Sequence, residues 1–424
     1  MSDRTRSGSG VWHGKGAGIG AALVLALALG CRQPREHAPQ QEGPSSGGSE
    51  AAPEVPPSQP APPFVSITAG SDGTCGIAAA GALYCWGRND LGQVGDGTST
   101  DQLLPAAVGG GIAWKAVAPG GSHTCALSTE GATYCWGSSV FGELGNDTVG
   151  GSATPARVGG VPAFIAIASG EFHSCGLTAG GTLWCWGENR HGELGRGDTL
   201  RSHKPMAVTP GITFRSMSLS AHSTCALTTD GRLFCWGLNL GGALGYVTSD
   251  SCGGNGAPEG TCGLSPKRGQ PDMRFRHAVI GYHHACGVTD TATVLCWGEN
   301  GQGQLGNGTH DSAGPTPVVG DLKYVAVTGG EKFTCALAAG GDVYCWGLND
   351  DGQLGAGSGA DSPEPTALAS ASKFISISAG HAHACGLTTE HEAICWGSNA
   401  HGQLGSVVKL RSFAPAAVVF PQTP

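Results

Sequence analysis

Short stretches of alternating apolar and small or polar residues recur along most of the chain, and glycine-rich turns separate them. In one unit, the stretch Phe164–Ala168 is followed by Cys175-Gly176-Leu177 and then by Leu183-Trp184-Cys185-Trp186. Alternation of this kind between glycines is typical of β-strands. A further stretch with the pattern Pro-x-x-Val precedes these three in each unit. The pattern therefore predicts an all-β chain with four short strands per unit.

The units repeat with a period of about fifty residues. The sequence Cys-x9-Cys-Trp-Gly occurs seven times, and the first cysteines lie 50, 50, 50, 61, 49 and 50 residues apart. The long interval contains an insertion at about 250–263. Pro-x-x-Val or a variant begins at Pro105, Pro155, Pro205, Pro266, Pro315, Pro365 and Pro415. Repeats of this length with four strands each predict a seven-bladed β-propeller.

The two markers also predict how the ring closes. The seventh Pro-x-x-Val copy, Pro415–Val418, follows the last cysteine unit, whereas no copy precedes the first unit. We therefore expect the C-terminal strand to complete the first blade and join the two chain ends. Such closure removes the exposed strand edges of an open array.

The repeat resembles the regulator-of-chromosome-condensation family, in its secreted bacterial branch. A Gly-x-x-His-Thr/Ser-Cys run occurs at Gly120–Cys125 and Gly170–Cys175. The pattern Trp-Gly-x-Asn-x-x-Gly-Gln-Leu-Gly is nearly complete at Trp297–Gly306, Trp346–Gly355 and Trp396–Gly405. The resemblance covers residues 64–419 and implies a seven-bladed propeller. It fixes no activity, because members include a nucleotide exchange factor, a plant photoreceptor and a bacterial β-lactamase inhibitor.

The N-terminal segment has the features of an export signal. Basic residues precede an apolar run at Ile19–Leu29, which is too short to span a bilayer. Gly30-Cys31 at its end resembles a lipobox, which predicts a lipoprotein signal peptide at 1–30 and lipid attachment to Cys31. An ordinary secretory signal with an incidental cysteine is the alternative. Residues 31–63 hold nine prolines and predict a disordered tether before the propeller at 64–419 and a tail at 420–424.

Cysteine spacing predicts disulfides within hairpins. A three-residue loop at Thr229–Gly231 places Cys225 opposite Cys235 with Cα atoms about 4.5–5 Å apart, which is within disulfide range. Reduced thiols are the alternative, and zinc motifs favour Cys-x2–4-Cys instead. An exported chain favours oxidised pairs, and it excludes cytosolic nucleotide exchange. The predicted pairs are Cys75–Cys85, Cys125–Cys135, Cys175–Cys185, Cys225–Cys235, Cys252–Cys262, Cys286–Cys296, Cys335–Cys345 and Cys385–Cys395.

The last loop residue of each hairpin is expected to be left-handed, which favours glycine. Glycine occupies this place in five hairpins, at positions 81, 131, 181, 231 and 341. Ala292 and His391 occupy it in the other two, so turns of a different shape are expected there.

Composition and motifs limit the possible functions. Glycine accounts for 74 of 424 residues, charged residues for 13%, and the net charge is −9. A helical bundle is therefore not expected, and the chain lacks the cationic surface that nucleic acids require. The sequence contains no Gly-x-Ser-x-Gly, His-Glu-x-x-His or Walker motif. We therefore expect no enzyme activity, no cofactor and no metal.

Two repeated residues have a functional and a structural interpretation. The histidine two residues before the first cysteine could hold a metal in a central channel, or it could form hydrogen bonds between blades. The tryptophan of Cys-Trp-Gly could be a ligand platform, or it could pack between blades. Repetition favours the structural interpretation for both. The histidines are His123, His173, His284 and His383, and the tryptophans are Trp86, Trp136, Trp186, Trp236, Trp297, Trp346 and Trp396.

Positions that vary between blades are better candidates for recognition. The pair of residues that precedes this histidine position is different in each unit, and together these pairs combine aromatic with charged side chains, as protein-binding surfaces do. Drift on an unused surface is the alternative. The insertion with Cys252 and Cys262 is a second candidate, and a neutral insertion is its alternative. The predicted partner-binding residues are Asp72, Glu171, Phe172, His222, Tyr282, His283, Glu331, Lys332 and His381.

These inferences predict a monomeric, lipid-anchored lipoprotein of the cell envelope that faces the periplasm or the cell exterior. It would act as a non-catalytic scaffold that binds another extracytoplasmic protein. An inhibitor of a secreted or periplasmic enzyme, similar to the β-lactamase-inhibiting relative, is the main alternative. A regulator of the nucleotide-exchange type, or an enzyme with its active site at the channel mouth, is less favoured.

Overall fold

A computed structural model describes residues 62–208, 211–248, 250–252, 260–270, 272–407 and 410–421. The predicted signal peptide, the lipid site at Cys31, almost all of the tether and the end of the tail lie outside these residues. Within the described ranges, the chain forms 29 strands and one short 3-10 helix, Leu240–Gly242. No helix in this part of the chain is long and apolar enough to cross a membrane.

The strands follow one another in seven antiparallel sheets, or blades. Blade 1 contains β1 Phe64–Ala69, β2 Gly73–Ala78, β3 Leu83–Gly87 and β4 Gln102–Ala107. Blade 2 contains β5 Trp114–Pro119, β6 His123–Ser128, β7 Thr133–Gly137 and β8 Ser152–Arg157. Blade 3 contains β9 Phe164–Ser169, β10 His173–Thr178, β11 Leu183–Gly187 and β12 Ser202–Ala207. Blade 4 contains β13 Phe214–Leu219, β14 Ser223–Thr228, β15 Leu233–Leu238, β16 Asp250–Cys252 and β17 Gly260–Arg268.

The remaining three blades have the same order. Blade 5 contains β18 Phe275–Ile280, β19 His284–Thr289, β20 Val294–Gly298 and β21 Ala313–Pro317. Blade 6 contains β22 Tyr324–Gly329, β23 Phe333–Ala338, β24 Val343–Gly347 and β25 Ser362–Ala367. Blade 7 contains β26 Phe374–Ala379, β27 His383–Thr388, β28 Ala393–Ser398 and β29 Arg411–Ala417. The predicted all-β, seven-bladed propeller is therefore confirmed.

The insertion forms a hairpin on blade 4. β16 pairs with β17, which itself pairs with β15, so the order in this sheet is β13-β14-β15-β17-β16. Cys252 and Cys262 are joined across the hairpin with Cα atoms 5.9 Å apart. The insertion therefore adds a fifth strand at the edge of the blade.

The predicted closure by the C-terminal strand is wrong. β29 pairs with β28 of the last blade, where Ala417 lies opposite Ile394. Each Pro-x-x-Val strand is the fourth strand of the blade whose cysteine unit precedes it. Each of the seven cysteine units therefore has its own Pro-x-x-Val strand, and none of these strands remains to complete another blade. The prediction placed each blade boundary one strand too early.

Blades 1 and 7 instead meet through the same kinds of contact as the other neighbouring blades. The Phe64 amide donates to the carbonyl of His391 at 3.2 Å, and the His381 amide donates to the carbonyl of Ser71 at 3.0 Å. After the last strand, the ring of Phe420 packs against Tyr84 of blade 1 with centroids 5.0 Å apart. The two ends of the propeller therefore meet at one boundary without exchanging a strand.

A buried hydrogen bond from the repeated tryptophan crosses every blade boundary. Each indole Nε1 donates to a backbone carbonyl of the preceding blade, over 2.7–3.0 Å. All seven tryptophans are at most 1% exposed. This confirms the inter-blade interpretation. The pairs are Trp86–Gln403, Trp136–Gln93, Trp186–Glu143, Trp236–Glu193, Trp297–Ala243, Trp346–Gln304 and Trp396–Gln353.

The hydrophobic core is divided among the boundaries. In one cluster, Ile77 and Val94 of blade 1 pack with Trp114 and Trp136 of blade 2. A single blade therefore buries its apolar faces only when both neighbours are present, as expected of a repeat protein.

The predicted hairpin disulfides are present in all seven blades, with Cα atoms 4.0–4.1 Å apart. The predicted register is also confirmed, because Leu227 lies opposite Leu233 and Cys225 opposite Cys235. The expected change of turn shape at Ala292 and His391 is wrong. Their φ angles are 63° and 65°, so both adopt the left-handed conformation that glycine adopts in the other five hairpins.

The left-handed alanine yields a stability prediction. The left-handed conformation costs a residue with a Cβ about 1–2 kcal/mol, and Ala292→Gly removes this cost. Glycine also makes the unfolded chain more flexible, which offsets part of the gain. The free energy of unfolding should therefore rise by about 1 kcal/mol. Gly131→Ala is the matched reverse change, since a Cβ there would meet nothing within 4 Å. It should lower stability by a similar amount in denaturant titrations without reductant. A destabilising Ala292→Gly would contradict the assignment.

The disulfides yield a second prediction. Alkylation of the unfolded, unreduced chain followed by mass spectrometry should label none of the sixteen paired cysteines. The same sample treated with reductant should label all of them. Labelled blade cysteines in the unreduced sample would show that the pairs are not oxidised.

Candidate binding face

One turn from each blade lies at the same end of the propeller. These are the turns between the first and second strands, and together they line a central cavity of about 90 Å³. Every predicted partner-binding residue lies in one of these turns. We call this surface the turn face; it comprises the turns at 70–72, 120–122, 170–172, 220–222, 281–283, 330–332 and 380–382.

Backbone hydrogen bonds link successive turns around the cavity. The amide of Ser71 donates to Gly120 and that of Gly121 to Gly170, both at 3.2 Å. The approach is so close that a Cβ on Gly380 would lie 2.1 Å from the carbonyl oxygen of Gly70. The turns are therefore fixed relative to one another before any partner arrives.

Three of the predicted residues meet at the cavity. The Tyr282 hydroxyl donates to the carboxylate of Glu171, and its ring lies edge-on to His381 with centroids 4.9 Å apart. Burial, and next the hydrogen bond to Glu171, raise the pKa of Tyr282. The phenol therefore stays protonated and acts as a donor in an ordered group from three blades.

Two more predicted residues form an aromatic patch further from the axis. Phe172 stacks on His222 with centroids 6.1 Å apart, and it packs edge-on against Phe141 at 5.5 Å. All three side chains are partly exposed to solvent. The patch combines blades 2, 3 and 4 and offers flat apolar surface in a fixed orientation.

The remaining predicted residues are charged or polar and pair locally. Asp72 lies 3.7 Å from Arg88, and Glu331 lies 3.7 Å from Lys332. A 2.9 Å contact joins the imidazole Nδ1 of His283 to the carboxylate of Glu299. The turn face therefore carries both signs of charge around its aromatic groups.

Sequence reasoning missed two residues that extend this face. His191 Nδ1 lies 3.0 Å from Glu193 Oε1, and His222 Nδ1 lies 3.6 Å from the same oxygen. Burial would raise the pKa of Glu193, but the imidazoles of His191 and His222 lower it to about 2. Burial, followed by the charge of Glu193, raises the pKa of the nearby Glu188. The available signal was Glu193 itself, which replaces the glutamine found in three copies of Gly-Gln-Leu-Gly and in one Gly-Gln-Val-Gly.

The repeated histidines hold the blades together. Each is fully buried, and its Nε2 contacts a hydroxyl of the next blade. Burial is the main cause that lowers their pKa values to about 3 or 4. The inter-blade interpretation is confirmed, although the partners are side-chain hydroxyls and not backbone groups. The pairs are His123–Ser174 at 2.6 Å, His173–Thr224 at 2.9 Å, His284–Thr334 at 2.9 Å and His383–Thr74 at 3.0 Å.

The insertion is a separate feature. None of its described residues lines the central cavity, because β16 and β17 lie at the edge of blade 4. The described part of the second predicted recognition element therefore lies outside the central cavity.

Comparisons with solved structures agree with this architecture. The structure of Prp20p from Saccharomyces cerevisiae, studied for binding to Gsp1p and histones, superposes with a TM-score of 0.70 at 21% identity, over 81% of this chain and 87% of that chain. Yeast RCC1 (Prp20) bound to Kap60 gives 0.70 at 20% identity, over 87% and 90%. Human WBSCR16 gives 0.68 at 19% identity, over 78% and 87%. A search of curated protein sequences found no significant match.

Family comparison covers most of the sequence. The model of the RCC1-like domain matches residues 26–323. Models of the regulator of chromosome condensation (RCC1) repeat match residues 340–387, and 324–353 with 374–403. The chain belongs to the regulator of chromosome condensation repeat family.

Proposed function

We propose that this propeller is an extracytoplasmic scaffold that binds another protein through the turn face and catalyses no reaction. The observation that carries the proposal is the contrast between boundaries and turns. The boundary tryptophans repeat in all seven blades, whereas each turn presents a different pair of residues before the histidine position. Interior packing does not require Phe172 and Tyr282 to be aromatic, so recognition is the better explanation of them.

The chemistry of the face suits a protein partner. Aromatic anchors in a rigid setting, surrounded by charges of both signs, are typical of protein-binding surfaces. Phe172, Tyr282 and His222 supply the apolar part, and the local ion pairs supply the polar rim. Similar folds are also described with protein partners, namely Gsp1p, histones and Kap60.

The proposed location rests on the cysteines and on the N-terminal segment. Eight disulfides suggest an oxidising environment outside the cytoplasm. The apolar run Ile19–Leu29 followed by Cys31 supports export and lipid attachment. The proline-rich segment would then connect the acylated cysteine to the propeller.

The binding proposal predicts the effect of removing two anchors. In a pull-down from envelope extract, Phe172→Ala with Tyr282→Ala should reduce partner recovery at least tenfold, as the loss of a buried aromatic anchor does. The matched control is Ile165→Ala with Ile375→Ala, two exposed apolar residues at the start of β9 and β26, at the opposite end of these strands from the turn face. Its recovery should equal that of the wild type. Equal recovery with the anchor variant, at an unchanged melting temperature, would refute the proposed site.

The location proposal predicts the effect of removing the lipid site. Cys31→Ser should abolish fatty-acid labelling of the chain and lower its share in the membrane fraction, because the thiol that would carry the acyl chains is lost. Gln33→Ser, two residues away, should leave the protein in the membrane fraction. Mass spectrometry of the wild-type N-terminal peptide should show acyl chains on Cys31. An unmodified peptide would reject the lipoprotein assignment.

A further inference from the structure

The group formed by His191, Glu193 and His222 has the geometry of a metal site. Its three ligand atoms all lie within 4.8 Å of one another. Glu193 Oε1 is 3.0 Å from one imidazole Nδ1 and 3.6 Å from the other. Zinc bonds of about 2.0–2.1 Å in a tetrahedral site place neighbouring ligand atoms about 3.3 Å apart. The two observed separations lie on either side of this value.

The fold holds the carboxylate in position from several directions. Glu193 Oε2 accepts a hydrogen bond from the backbone amide of His191 at 2.8 Å. Its backbone carbonyl accepts from Trp236 Nε1 at 2.7 Å and from Thr224 Oγ1 at 3.0 Å. The Glu193 side chain is only 1% exposed. Oε1 is thus directed at the two imidazoles by contacts that the fold already requires.

Nδ1 of His222 lacks the partner that a purely structural role would supply. This nitrogen is buried and makes no hydrogen bond to any described atom. Its 3.6 Å separation from Glu193 Oε1 is too long for a good hydrogen bond. A buried nitrogen that faces a carboxylate at this distance leaves room for an ion between the two atoms.

The other blades show that the fold does not need a carboxylate here. At the position of Glu193, glutamine side chains accept the same amide bond from the residue two places earlier, at 2.9 Å. The negative charge of Glu193 is therefore additional to its structural role. These glutamines are Gln93, Gln304, Gln353 and Gln403.

The preceding boundary provides an internal comparison. Glu143 occupies the same position in blade 2 as Glu193 does in blade 3, and its carboxylate accepts from the Phe141 amide at 2.7 Å. There, however, Phe141 and Phe172 stand where His191 and His222 stand at the next boundary, and the two rings pack edge-on in both cases. Both nitrogen ligands are thus introduced together beside one carboxylate.

We propose that His191 Nδ1, Glu193 Oε1 and His222 Nδ1 bind one divalent transition-metal ion, for which zinc is the best fit. Two imidazoles and one carboxylate are a common zinc ligand set. The side chain of His222 is 27% exposed, so a water molecule can complete the tetrahedron from the solvent side. The ion would connect blades 3 and 4 beside Phe172. This proposal does not depend on the proposed protein-binding function.

The test uses the exported chain after treatment with a chelator. Titration with Zn²⁺ in a calorimeter should show one ion per chain. Co²⁺ should give the visible absorption of a tetrahedral site. His222→Ala and Glu193→Gln should each weaken zinc binding at least tenfold. Both substitutions are compatible with the fold, because blade 7 carries Ala382 and Gln403 at the matching positions.

A histidine in the equivalent position of another blade serves as the control. His401 corresponds to His191, but it contacts Asp101 and stands beside Gln403. His401→Leu should leave zinc affinity unchanged, and all variants should melt with the wild type in chelator. Absence of binding by the wild type would overturn the proposal. Equal affinity of wild type, His222→Ala and Glu193→Gln would overturn it as well, because the ion would then bind elsewhere.

Discussion

The structure depends on one hydrogen bond that is repeated at every blade boundary. The indole of each Cys-Trp-Gly tryptophan donates to a backbone carbonyl of the preceding blade within a core that excludes water. A buried donor without a partner costs about 1–3 kcal/mol, so each blade is stable only beside a correctly placed neighbour. Trp86 meets this requirement at the last boundary, where its partner is Gln403 of blade 7. The ring is therefore closed by packing and not by a shared strand.

This frame separates residues that hold the propeller together from residues that are free to differ. The buried histidines and the hairpin disulfides serve each blade in the same way. The turns on the face are fixed by backbone hydrogen bonds and so place little demand on their side chains. The same two positions can therefore carry Phe141 with Phe172 at one boundary and His191 with His222 at the next. One scaffold in this way presents apolar, charged and metal-binding chemistry side by side.

Much of the fold follows from the sequence because it depends on local or periodic patterns. The hairpin register of Cys225 and Cys235 follows from counting outwards from a three-residue loop. The strand at which each blade begins does not follow from the sequence, because a cyclic repeat can be divided at any of its strands. The pairing of β29 with β28 shows where the division lies. The predicted change of turn shape at Ala292 was wrong, because the surrounding hairpin enforces a left-handed conformation that alanine alone disfavours. The approach of His222 to Glu193 lies across a boundary, and no spacing rule connects residues in different blades.

Exchange of the tryptophan indole hydrogens with solvent tests the central claim most directly. Seven indole N–H signals of the folded chain should exchange with deuterium as slowly as the amides of the central strands, and they should be lost together when the chain unfolds. Such behaviour is expected if each bond is buried and depends on both neighbouring blades. Rapid exchange of most of these indoles while the strand amides remain protected would contradict the account, since the blades would then be held together in another way.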